Sequence, residues 1–264
     1  MKKPDPNHNR KPRGFTLVEL LVVISIIVIL AGIAAPTAIG ALKHAERVRG
    51  LSNLRNVRGG LDFFASDFGG EYPNESTAIQ VADLVADDEP RDLSTSELKC
   101  DWKLRQNRGL NNRVKKREVS HAADEYFQQV MGRGLDNEEM LYLNAFRSEF
   151  KLSRSNKDAR VDQGENVWGY TRGLHRTSSS HIPIVYDTPI SIGESPTFSK
   201  KIWDGKVLVS FMDGSTTAMP IGGSDRRSGP VRDTVGGRSM NIFSQEALEE
   251  GVLIPANLER IGQH

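Results

Sequence analysis

The sequence predicts an α+β protein, a long N-terminal helix followed by a head domain with short helices and a small antiparallel β-sheet. Three observations carry that prediction. Leu20 to Leu42 is a run of 23 residues with no ionisable side chain. Leu51, Leu54, Val57, Leu61, Phe64 and Phe68 then recur at spacings of three and four, the apolar stripe of an amphipathic helix. In the last third, two apolar runs flank Asp213-Gly214, the pattern of a β-hairpin. The formal net charge of +1 over 264 residues is a sum of unlike parts, with +4 on residues 1–14 (Lys2, Lys3, Arg10, Lys11, Arg13 against Asp5) and −3 on the rest. A mean hydropathy of −0.44 excludes a polytopic membrane protein, and the near balance of charge argues against a dedicated polybasic nucleic-acid binder. The one cysteine, Cys100, excludes an internal disulfide framework.

Taken in order, residues 1–14 form a basic leader and residues 15–42 a membrane-crossing helix. As a helix, the uncharged run spans about 34 Å, slightly more than a hydrocarbon core of about 30 Å. The basic flank in front of it places the N-terminus in the cytoplasm and the C-terminal domain across the membrane. Ala31-Gly32-Ile33-Ala34-Ala35 offers an alanine-rich site where a secretory signal could be cut. A stronger junction lies upstream, at Gly14-Phe15-Thr16-Leu17-Val18-Glu19. This hexapeptide, followed directly by the apolar run, resembles the prepilin signature of type IV pilins and type II secretion pseudopilins.

That resemblance implies cleavage between Gly14 and Phe15 by an aspartyl prepilin peptidase at the cytoplasmic face, and N-methylation of Phe15. It implies that Glu19, at the fifth mature position, pairs with the N-terminal amine of a neighbouring subunit and sets register during assembly. Pro36 falls at mature position 22, where the family commonly bends its helix. The residue types suit these roles. A glycine before the scissile bond has no Cβ to obstruct a protease. A glutamate carried to mid-membrane costs about 2.5–3.5 kcal/mol, so a partner for Glu19 is expected. Pro36 removes a backbone donor and crowds the carbonyl one turn earlier, which predicts a kink or local opening.

Residues 43–68 read as an amphipathic stem that continues the membrane helix, giving the lollipop shape of pilins, with residues 69–264 as the extracytoplasmic head. Gly69-Gly70-Glu71-Tyr72-Pro73 ends the stem, because the glycines supply irregular backbone and Pro73 prevents resumption. This Gly-x-Tyr-Pro turn resembles the corresponding turn of major type II secretion pseudopilins. Short helices are expected over Ala78–Val85, Glu118–Met131 and Asn137–Phe150, the last capped by Asp136 or Asn137. Strands are expected over His181–Asp187, Lys206–Met212 and Ser215–Ile221, a mobile loop over Gly222–Arg238, and a short helix from Ser244 to Glu250. Phe211-Met212-Asp213-Gly214 resembles a hairpin near the end of many bacterial pilin-like proteins. Many of these place a histidine ten residues before the aspartate, where this chain has Trp203.

Catalytic chemistry is not legible. The six histidines show no metal-ligand spacing, and neither a Gly-x-Ser-x-Gly elbow nor a phosphate-cradling loop is present. The chain is expected to be a non-enzymatic subunit that needs no cofactor. Asp87, Asp88, Glu89 and Asp92 are a candidate calcium cluster without the alternation of an ion-wrapping loop. The basic run from Arg105 to Arg117 has no interleaved aromatics, so nucleic acid is not an expected partner. Expected partners are prepilin peptidase, membrane lipid, other pilin-like subunits including further copies of itself, and an inner-membrane assembly platform. The expected setting is the cytoplasmic membrane, single-pass, with the head in the periplasm. The function expected is a type II secretion-type pseudopilus subunit. A type IV pilus subunit for adhesion or DNA uptake, and a membrane-anchored domain that never polymerises, stand as alternatives.

Overall fold

In a computed structural model of the protein the described residues are 15–86, 122–131, 134–135, 137–153, 161–193, 195–235, 238–249 and 251–261. The acidic cluster at 87–92, the basic run at 105–117, Gly14 and the rest of the leader lie outside them. The chain divides into two units, Met1–Ala45 and Glu46–His264.

Helix α1 spans Leu17–Asp67 and includes Pro36. In the second unit its stripe is buried as the spacing requires: Leu54, Val57, Leu61 and Phe64 are sealed from solvent, with Leu51 and Phe68 partly covered. Arg58 is buried on the same helix, where an unpaired charge would be costly. It is paired with Asp62, and its Nε and Nη2 donate to the carbonyls of Phe211 (3.2 Å) and Met212 (3.0 Å). Gly60 permits a backbone contact: a Cβ there would lie 2.6 Å from the Gly134 carbonyl and collide with Leu135, and a Cβ on Gly134 would strike Gly60 in return. The expected turn ends the helix. Gly69 (φ 65°) and Gly70 (φ 99°) take left-handed backbone. The turn is then tied to the head by Tyr72 N–H to Leu174 O (3.3 Å), Arg176 N–H to Gly70 O (2.8 Å) and Tyr170 Oη–H to Pro73 O (2.9 Å).

Helix α2 spans Glu75–Ala86 and starts earlier than the expected Ala78. Asn74 caps it, its side-chain oxygen accepting from Thr77 N–H (2.9 Å) while Thr77 Oγ1 accepts from Asn74 N–H (2.8 Å). Helix α3, Ala123–Val130, is the described core of the expected 118–131 helix. The expected helix over 137–150 is corrected. Asn137 does cap, accepting from Glu139 N–H (2.8 Å), but the chain then makes two 3-10 turns, Glu138–Leu141 and Asn144–Ser148, and enters strand β1, Phe150–Lys151. Tertiary partners take carbonyls that an α-helix would use, Trp168 Nε1–H bonding Met140 O and Val167 N–H bonding Leu141 O, both at 2.9 Å.

The main sheet has five strands: β2 (Trp168–Arg172), β3 (Pro183–Asp187), β5 (Lys206–Phe211), β6 (Thr216–Pro220) and β10 (Val252–Ile254). They are antiparallel and lie in the order β10-β2-β3-β5-β6. The β5–β6 hairpin turns at Gly214 (φ 84°) in the expected place. Strand β2 arises within a stretch that is polar and glycine-rich in sequence. The expected Gly222–Arg238 loop is corrected: it contains β7 (Ser228–Gly229), which pairs with β4 (Phe198–Ser199), and β8 (Arg232–Val235), which pairs with β9 (Arg238–Asn241). Lys200 Nζ donates to the carbonyls of Gly223 (2.9 Å) and Asp225 (2.7 Å), an anchor that loop composition does not reveal. Helix α4, Gln245–Leu248, follows Ser244, whose hydroxyl bonds Asn241 O instead of capping. Strand β11, Glu259–Arg260, pairs with β1.

Candidate processing and assembly site

The candidate site is the start of α1. Phe15 precedes the helix and is 76% exposed. Thr16 occupies the N-cap, and Glu19 is the third helical residue. The two bond reciprocally: Thr16 N–H and Oγ1–H each donate to Glu19 Oε2 (2.8 Å), and Glu19 N–H donates to Thr16 Oγ1 (3.2 Å). This is a capping box, which satisfies donors that the first helical turn leaves without intrahelical partners. The acidic side chain also lies at the positive end of the helix dipole. Sequence reasoning picked out Glu19 but missed Thr16, although Thr-x-x-Glu directly before an apolar run was the signal available.

From Leu17 to Ile33 the apolar side chains are exposed, Val28 at 69% and Ile33 at 67% among them. This helix is long and apolar enough to cross a membrane by length and composition. Ser25, the hydroxyl between Leu17 and Ile33, is internally satisfied, donating to Leu21 O at 2.8 Å. Burial in water cannot account for such a surface, since contiguous apolar area of this extent marks a membrane or protein interface. Pro36 lies within the same helix, well removed from the box at its start. Thus Phe15 and Glu19 share one helical end with Thr16, while Gly14 is outside the described residues.

Elsewhere the head offers no competing chemistry among the described residues. No group of three or more His, Cys, Asp or Glu side chains is placed to hold a metal. A cavity of about 560 Å³ is lined by Phe150, Ile190, Ile192, Leu258, Glu259 and Arg260 among others, and holds no histidine. Trp203, ten residues before Asp213, is a core residue: it is 4% exposed and donates through Nε1–H to Asp187 Oδ2 at 2.8 Å.

Residues 9–35 match the family of the prokaryotic N-terminal methylation motif. The chain is 33% identical to type II secretion system core protein G of Klebsiella pneumoniae over 81 residues, covering 31% of this chain and 57% of that protein. It is 35% identical to the protein of the same name from Klebsiella michiganensis over 69 residues (26% and 48%), and 29% identical to that of Vibrio cholerae over 72 residues (27% and 49%). The matched stretch thus spans about half the length of these relatives. No solved structure matches. A capping box at the head of an exposed apolar helix, inside a matched motif, identifies this chain as a carrier of the prokaryotic N-terminal methylation motif, similar over about a third of its length to type II secretion system core protein G.

Proposed function

We propose that this protein is a structural, non-enzymatic subunit of a type II secretion-type pseudopilus, anchored in the cytoplasmic membrane by α1 with its head on the periplasmic side. The observation that carries the reading is the Thr16–Glu19 box at the start of an uncharged, exposed helix, within residues that match the methylation motif. The basic leader holds the Gly14–Phe15 bond at the cytoplasmic face, where prepilin peptidase cuts it and methylates the new amine of Phe15. Removing the leader takes away four net positive charges and leaves a single amine beside the box. While the subunit waits in the membrane, Thr16 supplies donors to the Glu19 carboxylate and so lowers the penalty of holding it near lipid. On assembly, the amine of a neighbouring subunit offers a charged partner, which fixes the axial step between subunits. Packing of many apolar helices supplies the cohesion, and Glu19 the register.

Two measurements test this. N-terminal analysis of the membrane-extracted protein, made with and without prepilin peptidase, is expected to show an N-methylated Phe15 only when the peptidase is present; an intact leader or cleavage after Ala35 would overturn the proposal. Glu19→Ala is expected to be processed but left out of filaments, and normal incorporation would remove the register role.

A further inference from the structure

Asp187 ends strand β3, is 3% exposed, and lies in the head, outside the Thr16–Glu19 box. Its Oδ2 accepts two hydrogen bonds at 2.8 Å, from Trp203 Nε1–H and from the Leu208 backbone N–H. Among the described residues its Oδ1 is buried without a partner. Around it, β2 sets Trp168 directly opposite, β5 contributes Leu208, and the 200–205 turn contributes Trp203. The ring of Phe146 meets both indoles, with centroids 6.5 Å from Trp168 and 6.0 Å from Trp203.

The charges on these elements are engaged elsewhere or face solvent. Arg172 of β2 is paired with Glu75, and Lys201 with Glu149, which also lies 3.5 Å from Arg260. Lys200 holds the carbonyls of Gly223 and Asp225, Arg147 lies over the Tyr142 ring, and Lys206 and Asp204 are exposed. Burial pushes the Asp187 carboxyl from its ordinary 3.8 up to about 8, against the pull of the Leu208 amide and the Trp203 indole.

Both donors to Asp187 also carry α1. A Cβ added to Gly50 would come within 2.7 Å of the Leu208 side chain, 3.3 Å of Leu143 and 3.5 Å of the Trp203 ring, so both donors' residues, with Leu143, support the helix at Gly50. We propose that Asp187 is a proton-dependent latch between the sheet and α1: protonated, it keeps Trp203 and Leu208 seated under Gly50, and on losing its proton it draws water to the unpartnered oxygen and loosens the 200–205 turn. A charge confined to a dry site with two donors is the less favourable state, and the turn borders solvent, with Lys201 and Asp204 exposed on either side of Trp203.

The test is a titration of the full-length chain in detergent micelles, with ¹³C-carboxyl aspartate and ¹⁵N-indole labels, from about pH 5 to about pH 10. One aspartate carboxyl is expected to move with a midpoint about 8, and the Trp203 indole signal to shift with the same midpoint. Asp187→Asn should abolish both transitions. Trp203→Phe, which removes one donor that favours the charged form, should raise the midpoint and keeps the proposal testable if the first variant does not fold. The proposal is overturned if every aspartate titrates below about pH 5, or if the Trp203 signal stays fixed while Asp187 ionises.

Discussion

At the scale of single residues, the Thr16–Glu19 pair at the helix start and the buried Asp187 in the head each carry an expectation that can be measured. Thr16→Val removes the hydroxyl that both donates to and accepts from Glu19. Loss of an N-cap costs about 1 kcal/mol of helix stability. The expected result is slower assembly with cleavage at Gly14 preserved, read from filament yield against the amount of processed subunit; an unchanged yield would separate the box from assembly. Asp187 carries a second expectation. Its pKa is raised in the folded state, so the folded chain holds this proton more tightly than the unfolded chain does. Its contribution to stability is therefore complete below about pH 4 and lost as pH climbs toward about 8, at up to ~1.4 kcal/mol per pH unit. Thermal unfolding of the wild type should shift downward from pH 6 to pH 8, and Asp187→Asn should flatten that slope. Phe15, Glu19 and Gly14 could be singled out from residue type and order alone. Asp187 could not, because its importance comes from Trp203 and Leu208, which lie far from it in sequence.

At the scale of elements, periodicity revealed those that bury one face and concealed those defined by their partners. The α1 stripe from Leu54 to Phe64 could be read from spacing alone, as could the hairpin around Gly214, where the turn needs left-handed backbone. The 137–150 segment misled because Asn137 does cap and Glu138 and Glu139 follow it as in a helical first turn, whereas Trp168 and Val167 claim its carbonyls from outside. Strand β2 stayed hidden since Gly169 interrupts its pattern. That glycine is needed there, because a Cβ would come within 2.5 Å of the Tyr186 ring. The contact between α1 and Gly134 is similarly invisible in composition. Gly60→Ala should cost about 1–3 kcal/mol through overpacking, seen as a lower urea midpoint with unchanged slope. An unaltered midpoint would mean the 134–135 segment yields without cost.

At the scale of the whole molecule, one unit is built for an apolar surrounding and the other carries its own core. A chain beginning at Glu46 retains Leu54, Val57, Leu61, Phe64 and every strand of the sheet. It is expected to remain in solution without detergent and to unfold in one cooperative step by circular dichroism, while the full-length protein needs detergent. Aggregation or a broad, gradual melt of the shorter chain would show that the head depends on residues before Glu46. The order β10-β2-β3-β5-β6 also bears on when the head can close. The edge strand β10 and the small pair β1–β11 draw on residues 252–254 and 259–260, made after every other strand, so the head cannot close while most of the chain is being synthesised. The apolar helix leaves the ribosome before any of these strands and, on the proposed anchoring, enters the bilayer while the strands behind it are still unfolded. On the proposed membrane anchoring, orientation is thereby settled before any tertiary structure exists to oppose it, and folding of the head follows insertion.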